Sequence, residues 1–441
     1  MSNTFELAIV GLGPAGIGVS IALKESLQLN NVICFERGGN IGDAICSLLK
    51  NDECCQSSIC HIVSGIGGAS NLSSGKISYF PAGSGLVPFF DSEQQLKAIM
   101  TDVIQSLKAK TNLKRISIDQ NVISEAEKHY DASDIQYKYY DVYEFDGCSY
   151  RGYLLTMMQS LINAGLHIRT NAEVLNIEYD ASASCYIMDV AENGKTNKYR
   201  TKKIVLAVGS SELQDKLISP FTNKLNSDYE IGVRVEAKTE HFKNSFNSHG
   251  DLKLKYKFGR TYCVTKNGAI VSYRSSNLNF LEGYIDSNGR SIYSNLAILI
   301  KRDNERELID TLHRYNEQHG GMPIKQRYVD FIADRASNAS IYSSLANAKS
   351  GNINDLLSIP VNNSIREFIS HVLSNTMGMD IENITLVAPE LKLLRNIKIS
   401  NTFEIQQGLY VVGAATGKFR GILQSLCSGI RCGQRILEEV N

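Results

Sequence analysis

The chain lacks an excess of either charge, with 46 Lys and Arg against 46 Asp and Glu in 441 residues. That balance argues against a nucleic-acid backbone or an anionic membrane as partner. It also lacks CxxC pairs and Cys/His metal spacing, and none of its eight histidines forms an HxxxH pair, so metal catalysis has no support and no metal site is expected. The apolar run from Leu7 to Leu23 has no basic segment ahead of it and contains four glycines and a proline. We therefore expect neither a signal peptide nor a membrane span there. Without an export signal, the ten cysteines read as reduced thiols of a cytoplasmic protein. Internal repeats and low-complexity tracts are missing as well.

What is present begins at the amino terminus. An apolar strand from Phe5 to Val10 runs into Gly11-Leu12-Gly13-Pro14-Ala15-Gly16, then a small-residue helix, then Val32-Ile33-Cys34-Phe35-Glu36. This is the pattern of a dinucleotide-binding βαβ unit. The first glycine permits the tight turn, the second lets a pyrophosphate approach the backbone, and the third lets helix and sheet touch. Glu36 stands where an acid reaches a ribose hydroxyl. The pyrophosphate would sit on free N–H groups at the helix start.

Further along, Ser64 to Lys76 is punctuated by Gly65, Gly67, Gly68 and Gly75 and reads as backbone wrapped around something. Glu93–Leu107 and Arg151–Ala164 read as helices, the second ending on Gly165, whereas Asp131–Tyr143 is polar and tyrosine-rich and reads as surface. Lys203–Ser210 reads as a buried strand ending on glycine. From about Ser227 the texture turns to strands (Glu230–Glu236, Leu252–Phe258, Arg260–Val264, Ala269–Tyr273), followed by helices over Arg306–Gln318 and Ser364–Leu373. Gly408–Gly417 is again a strand entering a glycine turn, and a last helix runs from Ile422 to Glu439. Such a length suggests two joined domains. We expect a nucleotide domain built from both ends of the chain, residues 1–226 and 386–441, with a substrate or cap domain inserted over 227–385.

Gly11–Gly16, Ile204–Gly209 and Gly408–Gly417 together resemble the FAD-binding fold of glutathione-reductase-like flavoproteins. More narrowly, Gly67-Gly68-Ala69-Ser70 through Gly75-Lys76, Ile231–Glu236, and Arg260–Cys263 ahead of Asn267-Gly268 look like a bacterial group of uncharacterised FAD-dependent dehydrogenases. The resemblance implies an α/β fold, a discontinuous Rossmann-like FAD-binding domain with an inserted, mostly β substrate domain. It further implies FAD, a redox reaction and a small-molecule substrate, without naming that substrate. Its cofactor contacts fall on Gly11, Gly13, Pro14, Ala15, Gly16, Glu36, Arg37, Gly67, Gly68, Ala69, Ser70, Val174, Ala207, Val208, Gly209, Gly413, Ala414, Gly421 and Ile422. The chain also departs from the group: Ser74 stands where an Asp is usual, and only Cys263 survives of a cysteine-bearing turn. Ala414 replaces the acid that normally follows the C-terminal glycine, a loss of about 1.5–3 kcal/mol that would loosen FAD ten- to a hundredfold.

A flavin carries its own electron chemistry, so the protein must supply orientation, charge and shielding. The start of the last helix, around Arg420-Gly421-Ile422, would aim its N–H groups at the ring, with Arg420 and Lys418 adding positive charge. Lys76 could anchor a substrate carboxylate or steady the ring, or be a lysine in water. Cys263 is a candidate catalytic thiol, with Arg260 and Lys266 close enough to lower its pKa, although burial as a small hydrophobe competes. Arg151 and Arg234 could bind an anionic substrate or form ion pairs. Cys55 and Cys60 have the spacing of a redox pair without its helical context. The expected activity is hydride transfer between a small organic substrate and flavin N5. The alternatives are a flavin-carrying protein without turnover and an NAD(P) enzyme using the first βαβ unit alone.

Overall fold

The computed structural model describes residues 4–24, 29–43, 46–47, 54–55, 57, 59–72, 75–211, 213–222, 225–242, 246–275, 277–285, 291–338 and 341–439. Ser74 lies outside them. Thr4–Val10 ends in four consecutive buried residues, as a strand covered on both faces requires. It pairs in parallel with Val32–Glu36 on one side and with Lys203–Leu206 on the other. His167–Thr170 extends the sheet beyond Val32–Glu36, and Leu409–Val411 extends it beyond Leu206. Chain order therefore reverses at Thr4–Val10. In an open α/β sheet the crevice beyond the carboxyl ends at such a reversal is where ligands bind. The chain is thus an α/β protein with a Rossmann-like first sheet assembled from both ends of the sequence.

The strand expected over Lys203–Ser210 is longer and ends earlier, at Lys195–Leu206. Its first half pairs antiparallel with Cys185–Glu192. Ala207 still donates its N–H to Val10, but Gly209 has φ +67 and turns the chain out of the sheet. The last helix, Ile422–Glu438, lies against the first, Pro14–Lys24. They meet closely: a Cβ on Gly429 would fall 2.0 Å from the Ala15 carbonyl oxygen.

A second, predominantly antiparallel sheet of eight strands forms the inserted β-rich part. Its centre is Leu225–Lys238 between Thr385–Ile397 and Tyr293–Arg302. Residues 386–397, which the sequence reading put with the carboxy-terminal nucleotide segment, therefore hydrogen-bond inside this second sheet. Asp131–Tyr143 is only partly surface: Asp131, Ala132, Asp134, Gln136 and Lys138 are exposed, but Ile135, Tyr140 and Val142 are buried, and Gln136–Tyr137 caps the sheet edge beside Leu254–Lys255. Tyr137, Tyr139 and Tyr140 pack there with hydroxyls that donate to the Ser248 carbonyl, Asp141 and Asp251. The expected helix over Ser364–Leu373 starts earlier, at Ile359 behind the N-cap Ser358, and Phe368 gives way to a wider π turn over Ile369–Thr376. No helix among the described residues is long and apolar enough to cross a membrane.

Candidate functional site

At the reversal point, Gly11 has φ +96, and a Cβ there would lie 2.6 Å from the Ala207 carbonyl oxygen. On Gly16 it would lie 2.0 Å from the Gly11 carbonyl oxygen. These two glycines are required by the protein's own packing. Gly13 differs, because a Cβ there would meet only the Gly68 Cα, at 4.0 Å. Space is left open at the middle glycine alone.

The loop after the second strand closes over this turn. Gly67 donates its N–H to the Leu12 carbonyl at 2.8 Å. Ser70, in the short Ala69–Leu72 helix, donates its hydroxyl to the Gly67 carbonyl and accepts from the Tyr150 hydroxyl at 3.0 Å. Beside it the buried Asn71 Oδ1 has no hydrogen-bond partner, an acceptor that a ligand hydroxyl would satisfy. Pro14 opens the first helix, and the Ala15 methyl sits where a Cβ on Gly413 would be 2.6 Å away. Ala414 accepts a hydrogen bond from Ser210 at its carbonyl, and Ser211 donates to the Val208 carbonyl.

Glu36 was expected to face ribose. Its buried carboxylate accepts three backbone N–H groups, from Leu12 at Oε2 and from Gly38 and Gly65 at Oε1, each at 2.9 Å. An ionised carboxylate has about four lone-pair sites, so one acceptor position stays open. Arg37 donates to the Ser64 hydroxyl at 3.0 Å. The Val174 side chain packs in the hydrophobic layer with Val10, Ile33 and Phe35.

Lys76 and Cys263, distant in sequence, come close together: Lys76 reaches the carbonyl of Val264, next to Cys263 in the chain, and the charge of Arg420 is felt at the neighbouring Tyr262. Lys76 begins a short strand, Lys76–Ser78, and is neither in water nor free. Its Nζ lies 3.2 Å from Asp251 Oδ1 and donates to the Val264 carbonyl. Burial works most strongly against its charge, but Asp251, Cys263 and Glu144 together outweigh it and raise the lysine pKa. Asp251 is held on four sides, by Lys76, Lys253, the Tyr140 hydroxyl and the Val264 N–H. Although burial favours its acid form, Lys253 and Lys76 hold its pKa below the usual carboxylate range.

The neighbours expected to lower the Cys263 thiol pKa do not do so, and burial, the competing reading, governs it. Burial, then Glu282, push it up to about 11, against Arg234 and Lys76. Arg260 instead pairs with Glu230, Nε to Oε1 at 2.7 Å, and Lys266 is exposed and lies over the Phe246 ring. Cys263 also has φ +45, a strained conformation for a residue with a side chain. Of the two arginines offered for an anion, Arg151 donates to the Asn71 carbonyl. Fully buried Arg234 is bound to Glu390, Asn295 and the Cys263 carbonyl.

The last helix begins at Ile422 behind N-cap Gly421, which supplies no side-chain cap. Gln424 ties this start to the Lys76 strand, donating to the Ser78 carbonyl at 2.8 Å and the Ala82 carbonyl at 3.1 Å.

Sequence reasoning missed Asp251, Glu282, Glu390, Lys392, Tyr140 and His249. A usable signal was there in part. In Ile231–Glu236 the apolar Ile231, Val233 and Val235 alternate with Gly232, Arg234 and Glu236, so charge sits on one face of a central strand. Buried charge in such a place needs partners, and Glu390 and Lys392 in the neighbouring strand repeat the pattern.

His249 is wholly buried, accepts the Asp251 N–H at Nδ1 and has a backbone hydrogen bond to Lys138. Burial pushes its pKa down to about 4 from 6.5, with Asp251 opposing and Lys253 and Lys76 reinforcing. Between those two pH values the unfolded chain binds more protons, so stability rises with pH across that window and falls on acidification. The expected loss from pH 6.5 to 4 is about 3 kcal/mol. Urea midpoints across that range should fall more steeply for the native chain than for His249→Gln; equal slopes would refute a neutral buried imidazole.

No protein-family model matches the chain, and no curated protein sequence matches it. Among solved structures, it is similar to glycine oxidase from Geobacillus kaustophilus, at 13% identity over 99% of this chain and 95% of that one, with a TM-score of 0.42. L-alpha-glycerophosphate oxidase from Mycoplasma pneumoniae, dithionite-reduced with FAD bound, shows 11% identity, 99% and 95% coverage and a TM-score of 0.40. A flavoprotein/dehydrogenase from Cytophaga hutchinsonii shows 10% identity, 99% and 79% coverage and a TM-score of 0.40.

Proposed function

We propose that the chain is an FAD-dependent oxidoreductase that moves a hydride between a small organic substrate and the flavin. The carrying observation is the contrast among the three glycines: Gly11 and Gly16 are filled by the protein's own backbone, whereas Gly13 leaves its Cβ position open. A pyrophosphate at a helix start needs that opening. The open acceptor position on Glu36 and the unpartnered Asn71 Oδ1 fit ribose and ribityl hydroxyls. When bound, FAD supplies the two-electron chemistry at N5. The chain's residues would do the rest. Gly13, Pro14, Ala15 and Ala69 line the phosphate end, and the uncapped start of the last helix, at Gly421 and Ile422, offers N–H groups to the electron-rich edge of the ring. Lys76 holds the Val264 carbonyl and so fixes the backbone next to Cys263.

The test separates ligand from scaffold. Purified protein should absorb near 450 nm and bleach with dithionite, whereas a bound nicotinamide would leave that region empty. Gly13→Ala should keep the native melting temperature, a surface-like change within about 0.5 kcal/mol, and weaken FAD roughly ten- to a hundredfold. Gly16→Ala should instead destabilise the fold by about 3 kcal/mol. A colourless native protein, or Gly13→Ala with unchanged flavin affinity, sinks the proposal.

A further inference from the structure

At one end of the three central strands of the second sheet there is a cavity of about 210 Å³. Leu225–Lys238 runs antiparallel to both neighbours, so its last residues lie beside the first residues of Tyr293–Arg302 and Thr385–Ile397. Lys238 is opposite Tyr293, and Glu236 is opposite Thr385. All four line the cavity, with Tyr342 and His241 added from the loops. None of the residues assigned above to the flavin lines it. Ser227, which pairs with Arg395 beside the Gly417 turn, lies roughly 30 Å back along the same strand from Glu236.

The cavity contains a carboxylate without a counter-ion. Glu236 is only 1% exposed. Ser344 donates both its N–H, at 3.0 Å, and its hydroxyl to that carboxylate, and Ser343 adds a third hydrogen bond. These donors are neutral, and no cation pairs with Glu236 among the described residues. Arg234, next on the same face of the strand, is bound by Glu390 and Glu282. Lys238 turns to Glu240 at 3.8 Å, and His241 Nδ1 meets Asp380 Oδ2 at 3.0 Å. Burial therefore prevails at Glu236 and raises its pKa. A buried carboxylate in this state is costly until a positive charge joins it. Of its about four lone-pair sites one is still open.

The walls suit such a charge. Tyr293 and Tyr342 stack with ring centroids 4.0 Å apart, and Thr385 fixes the second ring's backbone by donating its hydroxyl to the Tyr342 carbonyl at 3.1 Å. Neither phenol hydroxyl hydrogen-bonds to a described residue, so both oxygens are free to accept, and aromatic rings attract a cation. We infer that this cavity is a second ligand site and that it takes a small primary ammonium compound, whose N–H donors serve Glu236 and the tyrosine hydroxyls. Its volume matches about seven waters, which is room for a short alkyl amine. An anion would be repelled by Glu236, and a neutral alcohol would leave the carboxylate unmatched.

The experiment titrates the purified protein calorimetrically with methylammonium, ethylammonium and butylammonium, and with the alcohol of the same chain length in each case. At least one ammonium ion should bind, and its alcohol should bind at least tenfold more weakly. Glu236→Gln keeps an acceptor for the Ser344 N–H and should weaken the ammonium ion at least tenfold. Tyr342→Leu, at a half-exposed position, should weaken it about threefold. Failure of every ammonium ion to bind, equal binding of ion and alcohol, or full affinity in Glu236→Gln would overturn the assignment. Should Glu236→Gln not fold, Tyr342→Leu decides alone, and full affinity there would refute the site. A colourless native protein that still binds the amine would refute the flavin reading and leave this site standing.

Discussion

Replacing Glu36 by alanine is expected to lower the stability of the nucleotide-binding half by about 4 kcal/mol and to abolish retention of a dinucleotide. The figure follows from its three hydrogen bonds. Leu12, Gly38 and Gly65 all donate backbone N–H groups to this one carboxylate, and each group stranded in the interior costs about 1–3 kcal/mol. Leu12 lies inside the glycine turn, and Gly65 opens the loop whose Gly67 bonds back to Leu12. The carboxylate is therefore a clamp joining both walls of the crevice before any ribose arrives. Glu36→Gln should sit between, because its amide oxygen can keep the two N–H groups at the Oε1 position while its NH2 faces the Leu12 N–H. The urea midpoint of the first unfolding transition distinguishes the roles. If Glu36 serves ribose alone, both variants will unfold with the native chain and differ only in cofactor affinity.

That clamp also marks how far the sequence could be read. The strand, glycines, helix and acid of the first βαβ unit were legible because each is local, set by residues within a few positions of one another. The same holds for the Glu93–Lys108 helix, whose N-cap Ser92 accepts the Gln95 N–H, and for the last helix behind Gly421. Long-range pairing was not legible. Nothing in Thr385–Ile397 announces that it lies beside Leu225–Lys238, and Asp131–Tyr143 looks polar while its Gln136–Tyr137 strand completes the edge of a sheet far along the chain, with Tyr137 opposite Leu254. Charge partners escaped for the same reason. Arg260 and Lys266 are neighbours of Cys263 in sequence, but the groups that set its thiol are Glu282, Arg234 and Lys76. All three come from other strands.

Arg234→Met is expected to destabilise the second sheet by about 3–5 kcal/mol, the typical result of removing one member of a buried ion pair. Arg234 and Glu390 are both wholly inaccessible, and Arg234 Nε lies 3.2 Å from Glu390 Oε2. Around them the charges balance, Arg234 and Lys392 against Glu282 and Glu390. Removing the arginine leaves two carboxylates sharing one lysine, while burial still penalises both. Adding Glu390→Met restores one acid to one lysine, so the double variant should recover to within about 1 kcal/mol of the native chain, a coupling that additive single effects would rule out. Stability is only one of the arginine's roles. Its Nη1 also donates to the Cys263 carbonyl at 3.2 Å, holding that residue at φ +45, and the double variant cannot replace this bond. Its thiol should therefore react faster with a disulfide reagent than the native one even though the sheet is as stable. Native stability together with a native rate of Cys263 modification would show that the arginine only balances charge and does not set the geometry at Cys263.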